Sequence, residues 1–423
     1  MAIVVSASLT AACGSVPDPP PDAPPPPDAP PPPDAAPPDA NIDPFDLIAK
    51  LKGSDSAAGS RFGRAVAIEG AFIAVGAPLQ NGTGAAYVFE AMDAEESMPT
   101  VWSEVDKLAA DDAAGGDQFG RDLDLSGPYL VAGAAGVDSF DANNIGAVYV
   151  FENAGGAWAQ STKEVETDGQ AGGFFGFKVA LSGNTIAANS ALNGGAGQHA
   201  GAVVAFTRLG DNWLQSTLVA NDAAAGELFG KSVDVDGDIM AVGSEAVLND
   251  NFSGAVYVFR KSANVWGQVD KLLPVNVGLD DAFGISVAVH GTRIVVGAHF
   301  DDTAAEDAGA VYVFEKEPDV DNWRRVAKLT ADDGAMLDQL GFSVAARDDL
   351  IVAGAPEAGG TGAVYAFKQI AGTWTQVKKL TALDGAEGDY FGWSVDLERE
   401  LVVGAPYANQ QESGAAYVYA PPQ

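Results

Sequence analysis

The sequence predicts an all-β chain: a seven-bladed β-propeller with four antiparallel strands per blade, closed by an N-terminal strand in the last blade. Three observations predict it. The heptapeptide GAVYVFE at 146–152 returns unchanged at 309–315, and with small changes at 84–90, 201–207, 254–260, 362–368 and 414–420. A Phe-Gly pair, or its variant Leu340-Gly341, opens each unit, and the glycines of successive pairs lie 51 to 57 residues apart. Each unit then carries four strand signals in fixed order. Periods of this size mark supersecondary units that bury a core only by stacking on neighbours, and four short strands repeated radially describe propeller blades.

The chain begins outside that repeat. Residues 1–13, MAIVVSASLTAAC, place an apolar run and small residues before Cys13, the one cysteine in 423 residues. This resembles the end of a bacterial lipoprotein signal, in which the cysteine is lipidated and becomes the first mature residue. Thr10 and the missing basic segment depart from that pattern. The stretch 14–44 is a Pro/Ala/Asp-rich linker, and residues 17–44 hold 15 of the 24 prolines. Proline fixes φ and removes a donor, so this stretch is expected as a semi-rigid polyproline II spacer, on the order of 85 Å long when extended.

The propeller is expected over 45–423. In each unit a first strand follows Phe-Gly and alternates, as in KSVDV at 231–235. A tight turn follows, such as Glu69-Gly70 or Asp236-Gly237, with glycine read as its second residue. The second strand is almost wholly apolar, as in FIAVGAP at 72–78, so both of its faces are expected to be buried. It closes on a glycine, for which Ala188 stands in unit three. GAVYVFE is the third strand. The fourth carries Trp102, Trp158, Trp213, Trp266, Trp323 or Trp374, expected as packing between blades. Unit seven lacks a fourth strand after Tyr419, and FDLIAKL at 45–51 matches what is missing. That segment is expected to complete the last blade, which otherwise leaves an open sheet edge.

Charge and composition bound the function. With 58 acidic against 23 basic residues the net charge is −35, which excludes nucleic acid and anionic membrane surfaces as partners. Membrane attachment is expected only through a lipid on Cys13. One cysteine excludes a disulfide framework, and three histidines leave little for acid–base chemistry. No nucleophile elbow, zincin motif or phosphate loop is present, so no catalytic residue is assigned and an enzyme is not expected.

Phe-Gly at the start of each unit, with Gly-Ala-Pro at 76–78, 354–356 and 404–406, resembles the FG-GAP repeat of integrin α-chain propellers. KLAADDAAGGDQFG (107–120), KLTADDGAMLDQLG (328–341) and KLTALDGAEGDYFG (379–392) resemble a bacterial subtype. The resemblance implies the propeller fold over about 45–423 and leaves the function open. It also raises calcium, the one candidate cation, since integrin-type repeats often hold it in an Asp-x-Asp-x-Asp-Gly loop. The nearest equivalent, Asp234-Val235-Asp236-Gly237-Asp238, is too short to wrap an ion that takes six to eight oxygens. A second candidate set is Asp111, Asp112 and Asp117 with Asp332, Asp333 and Asp338 in the crossovers between units, and Asp384 with Asp389 in a third copy. The alternative is that these aspartates build turns.

Units differ most between strands two and three, where 7 to 12 residues intervene. These loops are expected to form one rim with the crossovers, and loops on a rigid scaffold commonly bind partners. Candidate rim contacts are Phe140, Phe252, His299, Phe300 and Tyr407. His299 also stands among Asp301, Asp302, Glu306 and Asp307, a pattern compatible with a metal. The expected role is a monomeric, surface-anchored binding or adhesion module for a protein, glycan or cation, exported to a bacterial cell envelope. The alternatives are a structural surface protein without a ligand, or a hydrolase on a propeller scaffold.

Overall fold

A computed structural model describes residues 45–92, 101–139, 142–190, 199–210, 212–245, 253–274, 281–409 and 412–420. The signal and linker readings, Cys13, Phe140 and Phe252 lie outside the described residues. Seven four-stranded antiparallel sheets form seven blades: 65–108, 123–164, 179–218, 229–272, 283–329, 343–380, and 394–419 completed by the strand Leu47–Leu51. The inner strand of each blade packs against the inner strands of both neighbours, blade 7 against blade 1 included, so the ring closes.

Closure follows the sequence expectation. Leu47–Leu51 pairs antiparallel with Ala415–Tyr419, Lys50 facing Tyr417 and Leu51 facing Ala416. It carries a register break opposite Val418 and Tyr419, and the outer strands of blades 1, 2, 4, 5 and 6 break at the matching place. One extra residue there, Val105 in blade 1 and Ile48 in blade 7, makes a bulge that adds local twist. Phe45 and Leu51 are buried, whereas Leu47 stays exposed and adds little to closure.

Each blade junction holds one hydrophobic cluster, seven among the described residues. Phe119 shows the recurring motif: it is fully buried and meets Tyr149 and Phe151 edge-on, at 5.6 and 5.7 Å between centroids. The strand-four tryptophans lie in or against these clusters, and Trp158 packs on Phe72 of the neighbouring blade.

The glycines explain the Phe-Gly and Gly-Ala-Pro signatures together. A Cβ on Gly133 would lie 1.9 Å from the carbonyl oxygen of Gly176, the Phe-Gly glycine of the next blade. The same backbone-to-backbone approach joins Gly76 to Gly120, Gly243 to Gly284, Gly297 to Gly341, Gly354 to Gly392 and Gly404 to Gly63. Blade 3 departs: Asn189, not Ala188, takes this position, a one-residue correction to the sequence reading. Its side chain accepts a hydrogen bond from Lys178 N at 2.7 Å. The inner hairpins need a second correction. Strand pairing Glu69–Phe72 leaves Gly70 and Ala71 as the loop, so glycine is its first residue, with φ +58°. That arrangement fits a II′ turn. Asp348 takes the same place in blade 6 at φ +48°, and blade 7 uses a three-residue loop.

Candidate functional site

The acidic crossovers are the first candidate, and most of their carboxylates are engaged within the ring. Asp112 accepts from Tyr149 Oη at 2.8 Å and from Lys163 Nζ at 2.6 Å, both in the blade that follows. Burial raises its carboxyl, but these two bonds outweigh that and hold it below the usual carboxylate range. Asp333 is held down chiefly by Lys379, and Asp384 by Lys50. In blade 5 the buried Asp301 supplies this group from the blade's own loop to Tyr312 and Lys328. Asp117, Asp338 and Asp389 accept from the amides of Ala114, Ala335 and Ala386 and close the crossover turns. Asp111 and Asp332 dock through their backbone amides on Gln160 and Gln376. Among the described residues no three His, Cys, Asp or Glu side chains converge as metal ligands.

His299 does not join its acidic neighbours, contrary to the cluster read from sequence. Asp301 turns into the blade core, while His299 is buried against Phe300 at 3.7 Å and Phe342 at 5.7 Å. Burial, then Lys231, lowers its pKa to about 4, so the imidazole is neutral at physiological pH.

The Asp234–Asp238 segment also has a different use. Asp234 accepts from Val289 N at 2.6 Å on the next blade's inner strand, and Asp236 from Gly291 N at 2.7 Å in the turn that follows it. Asp124 bonds Leu181 N and Asp396 bonds Ile68 N in the same way across two other junctions. Blades 1, 3, 5 and 6 carry Ala67, Ala180, Ala288 and Ala345 at this register. These carboxylates cap exposed edge amides inside the channel. Burial raises Asp396 to about 7 and Asp234 to about 6; Asp124 rises through burial and the charges of the other two.

A pH prediction follows. Carboxyls raised in the fold bind more protons than the unfolded chain between about pH 4 and pH 7, so stability falls as pH rises through that window. The lowered aspartates act oppositely: their contribution is lost as pH falls below about 4. The melting temperature is therefore expected to peak near pH 4 and to fall by about 5 °C or more by pH 8. Asp396→Asn should flatten that decline. A melting temperature constant or rising from pH 5 to 8 contradicts the assignment.

The loop face holds the channel mouth. Crossovers and strand two-to-three loops share this face, joined by bonds such as Phe119 N to Thr83 O and Gln339 N to Asp307 O. The residue after each Phe-Gly lines the mouth: Arg64, Arg121, Phe177, Lys231, Ile285, Phe342 and Trp393 in blade order. The glycine before each has positive φ, from +77° to +94°, which places the side chain at the very start of the inner strand. The cavity measures about 470 Å³.

One arc of the mouth is cationic and the other aromatic. Arg64 lies 4.5 Å over Trp393, and Arg121 lies 4.0 Å over Phe177. Trp393 meets Phe342 at 4.7 Å and Tyr407 at 5.8 Å, and Arg61 lies 4.8 Å over Tyr407. Lys178 pairs with Asp122 at 3.7 Å and Lys231 with Glu245. Neither Arg64 nor Arg121 has a carboxylate within ion-pair distance among the described residues; Arg121 donates instead to Gln118 Oε1 at 2.8 Å. Burial, with Arg121 next, lowers Arg64 to about 10, which keeps it cationic. The structure thus brings His299 and Phe300 to this mouth and sets Tyr407 against its Trp393. The residues after Phe-Gly were missed in the sequence, although a signal was there: they vary beside an almost constant pair, and Trp393 is the one tryptophan outside the strand-four register.

Comparison with known proteins bears on the fold and the repeat. No curated protein matches the chain. Among solved structures, Saccharomyces cerevisiae Sqt1 aligns over 90% of this chain and 100% of its own, at 12% identity and TM-score 0.49. A Bacteroides uniformis protein assigned provisionally as a 6-phosphogluconolactonase aligns over 76% of this chain and 85% of its own, at 11% identity and TM-score 0.51, a likeness of fold alone. The FG-GAP repeat profile matches 45–89, 102–151, 213–259, 266–314, 323–367 and 374–419. Each matched segment spans one outer strand and the first three strands of the next blade, the same offset that closes the ring, and the unmatched stretch contains most of blade 3 with its Asn189. The chain belongs to the FG-GAP repeat family.

Proposed function

We propose that this FG-GAP propeller is an exported binding module, held at a bacterial cell envelope by a lipid on Cys13 and presented on its proline-rich spacer. Its ligand, a protein or a glycan, is taken by the loop face and the channel mouth, and the role is non-catalytic. The observation that carries this reading is the ring of residues after Phe-Gly. Seven structurally equivalent positions hold two arginines, a lysine, an isoleucine, two phenylalanines and a tryptophan, whereas the Phe-Gly pair before them is nearly constant. A position that served only the blade geometry would repeat with it. The carboxylates that might have served a hydrolase or a cation instead cap amides and pair with lysines. The test is retention of the labelled full chain on an array of immobilised glycans and extracellular proteins. Binding that is lost in Arg64→Ala with Trp393→Ala is expected. No retention by a folded chain, or retention unchanged by both substitutions, contradicts the reading. Cys13→Ser should release the chain from the membrane fraction and abolish palmitate labelling.

A further inference from the structure

The charge of the mouth runs against that of the chain. At a net −35, only 23 side chains are Lys or Arg, yet Arg64, Arg121, Lys178 and Lys231 meet around one cavity. The two carboxylates there, Asp122 and Glu245, are claimed by the two lysines. The two guanidinium groups are left facing each other, close enough that Arg121 lowers the Arg64 pKa, and the Nε of Arg121 is buried without a hydrogen-bond partner. Asp122 offsets both charges from a distance but makes an ion pair with neither guanidinium, and a planar guanidinium matches a carboxylate in bidentate geometry.

The aromatic arc says what carries the anion. Its rings are not parallel: Phe342 and Trp393 are tilted by 53°, Trp393 and Tyr407 by 62°, Phe342 and His299 by 87°. Sandwiching a flat ring between two platforms needs them parallel, and these pairs are not. A cup of tilted rings suits the C–H face of a sugar chair. The volume, about 470 Å³, falls in the range of small-molecule sites.

Resting on the binding-module reading, we propose that the channel mouth binds a carboxylate-bearing sugar, such as the terminal uronic acid of an acidic glycan. The carboxylate is held by Arg64 and Arg121, and the sugar ring beds against Trp393 and Phe342. Calorimetric or saturation-transfer NMR titration of the full chain with glucuronate and galacturonate tests this, with glucose, galactose and inorganic sulfate as the other arms. Binding of an acid sugar near millimolar is expected, weakened by added salt. Arg121→Lys keeps the charge but not the bidentate fork and should weaken binding several-fold. Arg64→Gln with Arg121→Gln should weaken it at least tenfold, with the melting temperature as the folding control. Four results overturn the proposal: no acid-sugar binding by folded chain at about 50 mM, far above that expected affinity; equal binding of the neutral sugars; equal binding of sulfate; or binding indifferent to both arginine variants. Array retention on neutral glycans or proteins, with no acid-sugar binding, would sink this proposal while leaving the binding-module reading standing.

Discussion

A chain lacking residues 45–51 is expected to melt roughly 10 °C or more below the full chain, and to aggregate on standing. The deletion removes the whole outer strand of blade 7. Burial of Phe45 and Leu51 is lost, each contributing about 1.5–3 kcal/mol. The ladder to Ala415–Tyr419 goes too, at about 0.5–1.5 kcal/mol per hydrogen bond. Lys50 no longer bridges to Asp384, though that partly exposed pair adds little. The exposed Leu47 contributes little as well, so Leu47→Ala alone should be nearly silent. The third strand left at the edge, AAYVY at 415–419, is apolar and uncharged, a template for pairing with other chains. Thermal melting and light scattering measure both effects. A deletion that melts with the full chain contradicts the strand's role.

Gly133→Ala is expected to cost about 3 kcal/mol or more, while Gly183→Ala costs only about 1 kcal/mol. Both add one methyl group. At Gly133 that methyl lands 1.9 Å from the carbonyl oxygen of Gly176, where two backbones already touch and no flexible side chain can yield. Relief requires moving blade 2 from blade 3, which opens the junction cluster around Val148, Phe175 and Phe206. At Gly183 nothing lies within 4 Å, and the cost is that of positive φ, here +55°. Urea unfolding of the pair checks the contrast. Equal, small losses would mean that the blades do not approach through these glycines.

How much of this was legible in the sequence depends on what repeats. The strands, their order and the N-terminal closure could be read because seven copies must satisfy one geometry, so GAVYVFE and Phe-Gly recur. Single departures were harder. The second strand of blade 3, TIAANS, holds no glycine, so its register slipped by one, and only pairing with Ala202–Leu209 places Asn189. The loop glycines were read one place late because sequence does not say where a strand lets go of its partner. The crossover aspartates looked like a cation site because their lysine and tyrosine partners come from the next blade, about 30–50 residues away. Asp301 shows the same limit: it fills the blade 5 network from a different loop, which no spacing rule reveals. The mouth was overlooked for the opposite reason. Its residues come one from each blade, and variability beside a constant motif registers as noise until the ring brings them together.

The blade junctions and the channel mouth depend on a ring whose two chain ends share a blade, and hydrogen–deuterium exchange of the full chain addresses that most directly. The amides of 47–51 and 415–419 are expected to be protected together and to exchange in one cooperative step, as partners in a single sheet. Exchange of 47–51 at the rate of unfolded peptide, with 415–419 still protected, would contradict closure by the N-terminal strand.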